Sequence, residues 1–292
     1  MRAFEDYNPF AIFLSLMSCA CIVMFGTNPV MALISLAGAV GLWFVRSGRE
    51  NMRSHLIYLA MLAVVPLLNM LISHNGATVL LVVNDAPITL EALLYGLVTA
   101  VTLAAVLYWF RSFSRIMTSD RLLYIMGGLS PRLALLLTMA LRFVPHFKRQ
   151  FQRIDNSQKA LGLYREDNMV DLVRGKLKVF SILVTWALEN GITTADSMTA
   201  RGYGTGRRTA FSIYRFVRGD IIFILVNLLL LAVCVTGLAT GAVDYSFYPS
   251  ADRIPCSPLA AAVYASYGIL VLLPIIIEAE VKLRWRSLRS AI

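Results

Sequence analysis

The chain carries Ala195-Asp-Ser-Met-Thr-Ala-Arg-Gly-Tyr-Gly204 near the end of a long basic segment, residues 111–218, which is set between hydrophobic segments. This segment holds 18 Lys and Arg residues against 7 Asp and Glu residues, so most of the chain's net charge of +10 lies there. It contains no recognisable active site. A charged module of this kind, embedded in a hydrophobic chain, indicates a subunit on which another protein docks.

The composition of the whole chain is that of a membrane protein. Hydrophobic residues make up 58% and charged residues 15% of its 292 residues, and the mean hydropathy is +0.68. These values lie well outside the range of soluble domains. A basic excess beside several membrane-length apolar runs is explained by the positive-inside rule, so we expect the lipid bilayer, and no nucleic acid, as a partner.

Six segments have the apolar character of transmembrane helices, which need about 20 residues to cross the hydrocarbon core. In lipid every backbone group must be bonded internally, so the predicted fold is an all-α polytopic membrane protein. The loop after the third span, residues 77–87, is rich in β-forming residues around Asn84-Asp85 and predicts a small hairpin. The predicted spans are 9–25, 30–45, 56–72, 88–110, 221–240 and 259–277, of which the first two are short.

The distribution of charge predicts the orientation. Basic residues follow the second, fourth and sixth spans, whereas the opposite loops contain only Arg253. Both termini and the basic segment are therefore expected in the cytoplasm. Glu91, Glu278 and Glu280 lie near the membrane edges, where interfacial solvation explains them better than a proton relay. The basic residues that follow the three spans are Arg46, Arg49, Arg53, Arg111, Arg115, Lys282, Arg284, Arg286 and Arg289.

The basic segment predicts a short helix, 120–126, and two long helices. Ser130 and Pro131 give a strong start signal for the first long helix, which we expect to extend to Leu161 with a kink at Pro145. Its first half, 133–141, is apolar on nearly every face and must be buried in lipid or against a partner. Its second half is amphipathic, with Phe147, Phe151, Ile154 and Leu161 on the apolar face.

The second long helix is expected to begin near Asn168. Its apolar residues follow a spacing suited to packing against the preceding helix. Residues 179–188 are apolar nearly all round, so we expect Leu183 here, like Leu136 in the first helix, to contact a membrane partner. Gly191 is expected to interrupt the helix before a capping box at 193–196 restarts it. The spaced apolar residues are Val170, Val173, Leu177, Phe180, Val184 and Ala187.

Ala200-Arg201-Gly202 has the chemistry of an exposed helix end. Gly202 lets the chain leave the helix in a left-handed conformation, and Arg201 lies beside the negative end of the helix dipole. The Arg201 guanidinium can make a two-pronged bond to a carboxylate of another protein. Taken alone, the triplet also fits an ordinary helix stop with a solvated arginine.

Three motifs in order carry a resemblance to a known family. Leu141-Arg-Phe-Val-Pro145, Gln158-Lys-Ala-Leu-Gly162, and the 195–204 stretch followed by Arg207-Arg208-Thr209 resemble the transmembrane T component of energy-coupling factor transporters. This family includes the CbiQ-type proteins of cobalt uptake. The resemblance covers the basic segment closely and the membrane layout approximately.

The resemblance implies two docking tips. In the family, two long cytoplasmic helices each end in an Ala-Arg-Gly-like tip that seats in an ATP-binding-cassette ATPase, while apolar helix faces hold a membrane S component. Carried over here, tip 1 is Ala160, Leu161 and Gly162, and tip 2 is Ala200, Arg201 and Gly202. Leu161 stands where the family has arginine. It therefore occupies an apolar groove, marks a lost anchor that Lys159 or Arg165 replaces, or packs only on its own chain.

The function implied is that of a non-catalytic coupling subunit of an importer for a vitamin, a vitamin precursor or a transition metal, in a bacterial or archaeal cell membrane. The chain has no phosphate-binding loop for ATP, and its three histidines are scattered, so no catalytic residue, metal or cofactor is expected. The alternative is a membrane-embedded enzyme or scaffold whose basic module binds anionic lipid or a lipid-linked substrate. The predicted domains are residues 1–110, with four spans, 111–219, the coupling module, and 220–292, with two spans and a basic tail.

Overall fold

The computed structural model of the chain describes residues 4–47, 52–73, 75–83, 86–163, 169–206, 214 and 216–289. The predicted all-α fold is confirmed: apart from one hairpin and a short 3-10 turn, the regular elements in these residues are helices. Asn84, Asp85, Arg49, Arg165, Asn168 and the Arg207-Arg208-Thr209 motif, on which some predictions rest, lie outside them. The elements are α1 (Pro9–Phe25), α2 (Pro29–Ser47), α3 (Met52–Ile72), β1 (Val79–Val83), β2 (Ala86–Thr89), α4 (Leu90–Ile116), α5 (Ser119–Leu129), α6 (Pro131–Ala160), α7 (Met169–Ala200), α8 (Arg218–Ala239) and α9 (Pro258–Arg289).

The chain divides into two compact units. Unit 1 comprises Met1–Arg121 and Tyr214–Ile292, and unit 2 comprises Leu122–Ile213. Unit 1 contains α1 to α4, α8, α9 and the hairpin, whereas unit 2 contains α6 and α7.

Unit 1 holds the predicted membrane spans. Five of its helices, α2, α3, α4, α8 and α9, are long and apolar enough to cross a membrane, and α1 is an apolar helix of 17 residues. All six predicted spans are therefore apolar helices at the expected positions. The face of α3 that turns away from α4 exposes large apolar side chains, Leu56, Leu59 and Leu71 among them, as expected of a helix surface in contact with lipid.

Glycines let the helices of unit 1 approach closely. A Cβ atom at Gly38 of α2 would overlap the side chain of Val271 in α9. A Cβ atom at Gly237 of α8 would overlap the side chain of Val263, also in α9. On the other side, a Cβ at Gly96 of α4 would lie 2.8 Å from the Cα of Pro66 in α3. Small residues at such contacts bring helix backbones close enough for van der Waals packing, which is the main attraction between helices in lipid.

The hairpin predicted between the third and fourth spans is confirmed. β1 and β2 pair antiparallel, with Val83 opposite Ala86. Glu91, expected to be solvated, is instead 2% exposed, and its carboxylate accepts a hydrogen bond from the Thr78 hydroxyl at 2.8 Å. The loop before β1 therefore replaces water as the partner of this carboxylate.

The break predicted at Gly191 does not occur, and the first long helix spans Pro145 as predicted. α6 continues through Pro145, and α7 continues through Gly191 as one helix of 32 residues. A glycine inside a helix costs only about 1 kcal/mol relative to alanine, which tertiary packing readily offsets. The hydroxyls of Thr193 and Thr194 donate to the carbonyls of Glu189 and Asn190 one turn earlier, so the expected capping box does not form.

Candidate partner-docking site

Tip 1 ends α6 in a Schellman motif. The amide of Gly162 donates to the carbonyl of Lys159 at 2.9 Å, and the amide of Leu163 donates to the carbonyl of Gln158 at 3.1 Å. Gly162 has a φ of +65°, which a residue with a Cβ adopts only at a cost. These bonds satisfy two of the carbonyls that a helix end otherwise leaves open. Leu161 occupies the C-cap position of this motif.

Tip 2 ends α7 in the same motif. The amide of Gly202 donates to the carbonyl of Thr199 at 2.9 Å, and the amide of Tyr203 donates to the carbonyl of Met198 at 3.0 Å. Gly202 has a φ of +81°. Arg201 therefore occupies the position that Leu161 occupies in tip 1. The two tips are equivalent in backbone and differ in one side chain, cationic at tip 2 and apolar at tip 1.

All six tip residues are exposed. Leu161 is 70% exposed, although Phe147, Phe151 and Ile154 of the preceding helix are half-buried. The side chain of Leu161 is therefore not buried against the described residues of its own chain, which favours an apolar groove or a lost anchor over packing within the chain.

The guanidinium of Arg201 is exposed at the end of α7. The Arg201 side chain has no ion-pair or hydrogen-bond partner within the described residues. The guanidinium lies at the C-terminal end of a helix, where the dipole favours a positive charge. It is therefore available for a two-pronged bond to a carboxylate outside the chain.

The two tips lie on opposite sides of the contact between α6 and α7. Asp155 binds Lys176, and the rings of Phe147 and Trp186 meet at a centroid distance of 5.9 Å, so the two helices are antiparallel. Leu161 lies about 9 Å beyond Asp155 along α6, at 1.5 Å per residue. On α7, tip 2 lies about 22 Å beyond Trp186 in the opposite direction.

The face of α7 that packs on α6 differs from the predicted one. Gly175 and Val179 are buried, and Leu183 and Trp186 are half-buried. The residues of the predicted stripe are largely exposed: Val170 55%, Val173 54%, Leu177 62%, Phe180 58% and Val184 41%. The α6-facing side is selected by the Asp155–Lys176 ion pair and the Trp186 ring, which the apolar spacing did not reveal.

The two predicted partner-contact residues are in different environments. Leu136 of α6 is 62% exposed, among other exposed apolar residues of the first half of that helix. Leu183 is half-buried on the side of α7 that faces α6. Leu136 is therefore open to a partner, whereas Leu183 contributes at least partly to the helix pair.

Titratable side chains of the two helices are the groups that would hold a metal ion there. Within the described ranges, no group of three His, Cys, Asp or Glu residues lies close enough to hold a metal ion. His146 packs edge-on against Trp186 at a centroid distance of 5.3 Å, which is a structural contact. The exposed helix ends and the exposed apolar side chains of unit 2 are accessible to a protein partner.

Comparison with known proteins identifies the family of the chain. The sequence profile of the CbiQ family, described as a cobalt transport protein, matches residues 5–213. The energy-coupling factor transporter transmembrane protein EcfT 1 of Listeria monocytogenes is 33% identical over 102 residues, 34% of this chain and 38% of that protein. The energy-coupling factor transporter transmembrane protein EcfT of Lacticaseibacillus paracasei is 36% identical over 90 residues, 30% of this chain and 34% of that protein.

The matched segments span little more than a third of the length of either relative. The CbiQ profile, in contrast, covers well over half of the chain, including α1 to α7 and both tips. Members of this family are components of transporters and are not themselves catalytic, which agrees with the apolar helices of unit 1. The chain therefore belongs to the CbiQ family of transport proteins.

Proposed function

We propose that this chain is the transmembrane coupling subunit of an energy-coupling factor importer, linking two ATP-binding-cassette ATPases to a substrate-binding S component. The observation that carries the proposal is the pair of equivalent, exposed helix ends on one antiparallel helix pair, in a chain of the CbiQ family. One ATPase binds each tip. Membership of the family and the likeness to two proteins named EcfT support the assignment.

The chain acts mechanically in this proposal. ATP binding draws the two ATPases together, and each carries its tip with it. A helix of 30 residues extends about 45 Å and transmits a displacement of its end along its length. The Asp155–Lys176 contact keeps α6 and α7 in register, so movement at the tips reaches the apolar faces of both helices.

The two tips bind their ATPases through different chemistry. Arg201 at tip 2 forms a desolvated, two-pronged bond with a carboxylate of one ATPase. Leu161 at tip 1 inserts into an apolar groove of the other. The shared Schellman backbone presents both side chains from the same position, so the difference between Leu161 and Arg201 distinguishes the two ATPases.

The exposed apolar surface of unit 2 binds the S component. Leu136 on α6 and the outward stripe of α7, which includes Leu177 and Phe180, expose more large apolar side chains than solvated helices normally carry. The S component selects the cargo, which is a vitamin, a vitamin precursor or a transition metal. In the cell membrane of a bacterium or archaeon, the tips and both termini face the cytoplasm.

Purification of the assembled complex tests this function. The full chain, tagged and coexpressed with its candidate ATPases and a small membrane protein, is isolated in mild detergent and its composition is measured by native mass spectrometry. We expect one copy of the chain with two ATPases and one S component. Recovery of the chain without ATPases, from membranes that contain them in excess, would contradict the proposal.

A further inference from the structure

A cluster of rings and guanidinium groups lies in unit 1 at the end where α2 and α4 finish and α3 begins. Trp43 of α2 is 1% exposed. The guanidinium carbons of Arg111 and Arg115, both on α4, lie 4.0 and 4.3 Å from the centroid of its ring. Tyr58 of α3 lies 6.0 Å from Arg111. This cluster is remote in sequence from both tips and plays no part in the proposed function.

Hydrogen bonds hold the Trp43 ring in place. Its Nε1 donates to His55 Nε2 at 3.1 Å, and His55 Nδ1 lies 2.6 Å from the Tyr108 hydroxyl. Phe44 stacks on the His55 ring at a centroid distance of 5.6 Å and an angle of 5°. Residues of three helices thus fix the indole, which gives the two arginines a rigid platform.

Arg111 lacks an acceptor for its N–H groups. Stacking on an aromatic ring occupies the face of a guanidinium and leaves its five N–H donors free at the edge. Arg111 is half-buried, yet within the described residues it has no ion-pair partner and no hydrogen bond. Two acidic side chains at this end, Glu5 and Glu278, pair with Arg46.

The two stacked arginines also repel each other. Both guanidinium carbons are close to the same ring centroid, so they lie within about 8 Å of each other, a distance at which like charges repel. They come from positions i and i+4 of one helix and therefore lie on the same face. An anion bound by Arg111 within reach of Arg115 reduces this repulsion.

We propose that Arg111 and Arg115 bind the phosphate of an anionic phospholipid headgroup. The site lies at the ends of helices long and apolar enough to cross a membrane, where lipid headgroups meet the protein. Leu56 and Ile57 of α3 and Phe110 of α4 expose apolar side chains next to the cluster, where acyl chains pack. Basic pockets between transmembrane helices bind anionic lipids in this way.

Lipid titration tests the site. The full chain in detergent is titrated with phosphatidylglycerol or with phosphatidylcholine of the same acyl chains, and bound lipid is counted by native mass spectrometry. Arg111→Gln removes the unpartnered cation. Arg284→Gln is the matched control, because Arg284 has the same charge, is exposed, and already pairs with Glu280 at 3.4 Å. Arg111→Lys keeps the charge but removes the planar fork.

We expect the wild type to bind phosphatidylglycerol about tenfold or more tightly than phosphatidylcholine. The affinity of Arg111→Gln for phosphatidylglycerol is expected to be about fivefold lower than that of the wild type. Arg284→Gln is expected to change it by less than about twofold, and Arg111→Lys to lie between wild type and Arg111→Gln. Equal losses in Arg111→Gln and Arg284→Gln, or no preference between the two lipids, would overturn the site. If Arg111→Gln does not fold, an affinity of Arg111→Lys for phosphatidylglycerol equal to that of the wild type would overturn the site.

Inorganic phosphate separates a lipid site from a site for a free anion. A lipid held by both its headgroup and its acyl chains remains bound when millimolar phosphate is added, since phosphate competes only for the arginines. Displacement of phosphatidylglycerol by phosphate would show that the arginines bind a free anion, and it would contradict the proposal.

Discussion

Lys176 Nζ donates a hydrogen bond to Asp155 Oδ1 at 2.7 Å and so joins α7 to α6. Asp155 is only 8% exposed, and Lys176 also lies 5.6 Å from the centroid of the Phe151 ring. Lys159 approaches the second carboxylate oxygen of Asp155 at 3.6 Å. A carboxylate buried at this contact requires its cation, so the ion pair fixes the lengthwise register of the two helices.

Loss of the Asp155 carboxylate is expected to destabilise the helix pair. Asp155→Ala removes the hydrogen-bonded, buried partner of Lys176 from the contact, at a cost of about 1–3 kcal/mol. Glu189→Ala, which removes an exposed carboxylate from α7, is the control and is expected to have little effect. Thermal unfolding of the full chain, followed by circular dichroism, measures both. Equal melting temperatures in the two variants would show that the ion pair is not structural.

Close packing of α8 on α9 is expected to depend on Gly237. Gly237→Ala places a methyl group against Val263 and is expected to cost about 1–3 kcal/mol by overpacking. Gly268→Ala in α9 is the matched control, because a Cβ there meets no atom within 4 Å. We expect that variant to be neutral or more stable, by up to about 1 kcal/mol, since alanine favours a helix over glycine. Similar melting temperatures for the two variants would refute the contact.

Much of this fold follows from local sequence patterns. Apolar runs of membrane length gave the positions of the six hydrophobic helices of unit 1, and Pro131 marked the start of α6. Gly162 and Gly202 have the positive φ values that a helix end with glycine predicts. Each of these signals lies within one helix or one turn, so it can be recognised from the sequence without knowledge of the tertiary structure.

The contacts between distant elements could not be predicted in the same way. The apolar spacing of α7 indicated a seam through Leu177 and Phe180, but the contact with α6 uses Gly175 and Trp186. An apolar stripe has the same spacing whether it faces a helix of its own chain or a separate protein. The equivalence of tips 1 and 2 depends on backbone bonds that become visible only in the structure.

Substitution of Leu161 is expected to distinguish the two favoured interpretations of tip 1. If Leu161 occupies an apolar groove, Leu161→Arg weakens binding of that ATPase, because a desolvated charge there lacks a partner. If the position is a lost anchor, the same change strengthens binding. We expect a loss with both Leu161→Arg and Leu161→Ala, measured as ATPase retained on the tagged chain. A gain with arginine contradicts the groove, and no change in either variant shows that tip 1 does not dock.

A charge introduced on the exposed face of α6 is expected to release the S component but not the ATPases. Leu136 is 62% exposed, so Leu136→Asp costs the chain's own fold little and places a charge in the apolar contact with the partner. Both ATPases are expected to remain bound. Gln152→Asp, at an exposed position in the second half of α6, is the control. Retention of the S component by Leu136→Asp at the control level would exclude this face.

Leu183→Asp is expected to behave differently from Leu136→Asp. Leu183 is half-buried on the α6-facing side, so a charge there disturbs the helix pair as well as any partner contact. We expect a lower melting temperature together with loss of the S component. A stable variant that loses only the S component would place Leu183 in the partner contact alone.

The central claim, that the tips of this chain bind ATPases, is tested most directly by the amount of ATPase retained by Arg201→Ala. Truncation of a desolvated interfacial arginine costs about 2–5 kcal/mol, so binding at tip 2 is expected to weaken by at least about thirtyfold. Arg174→Ala, which removes an exposed arginine near the start of α7, is the matched control and is expected to retain the wild-type amount. Selective loss of one ATPase in Arg201→Ala, with the chain still inserted in the membrane, is the predicted result. Wild-type retention of both ATPases by Arg201→Ala would contradict the account.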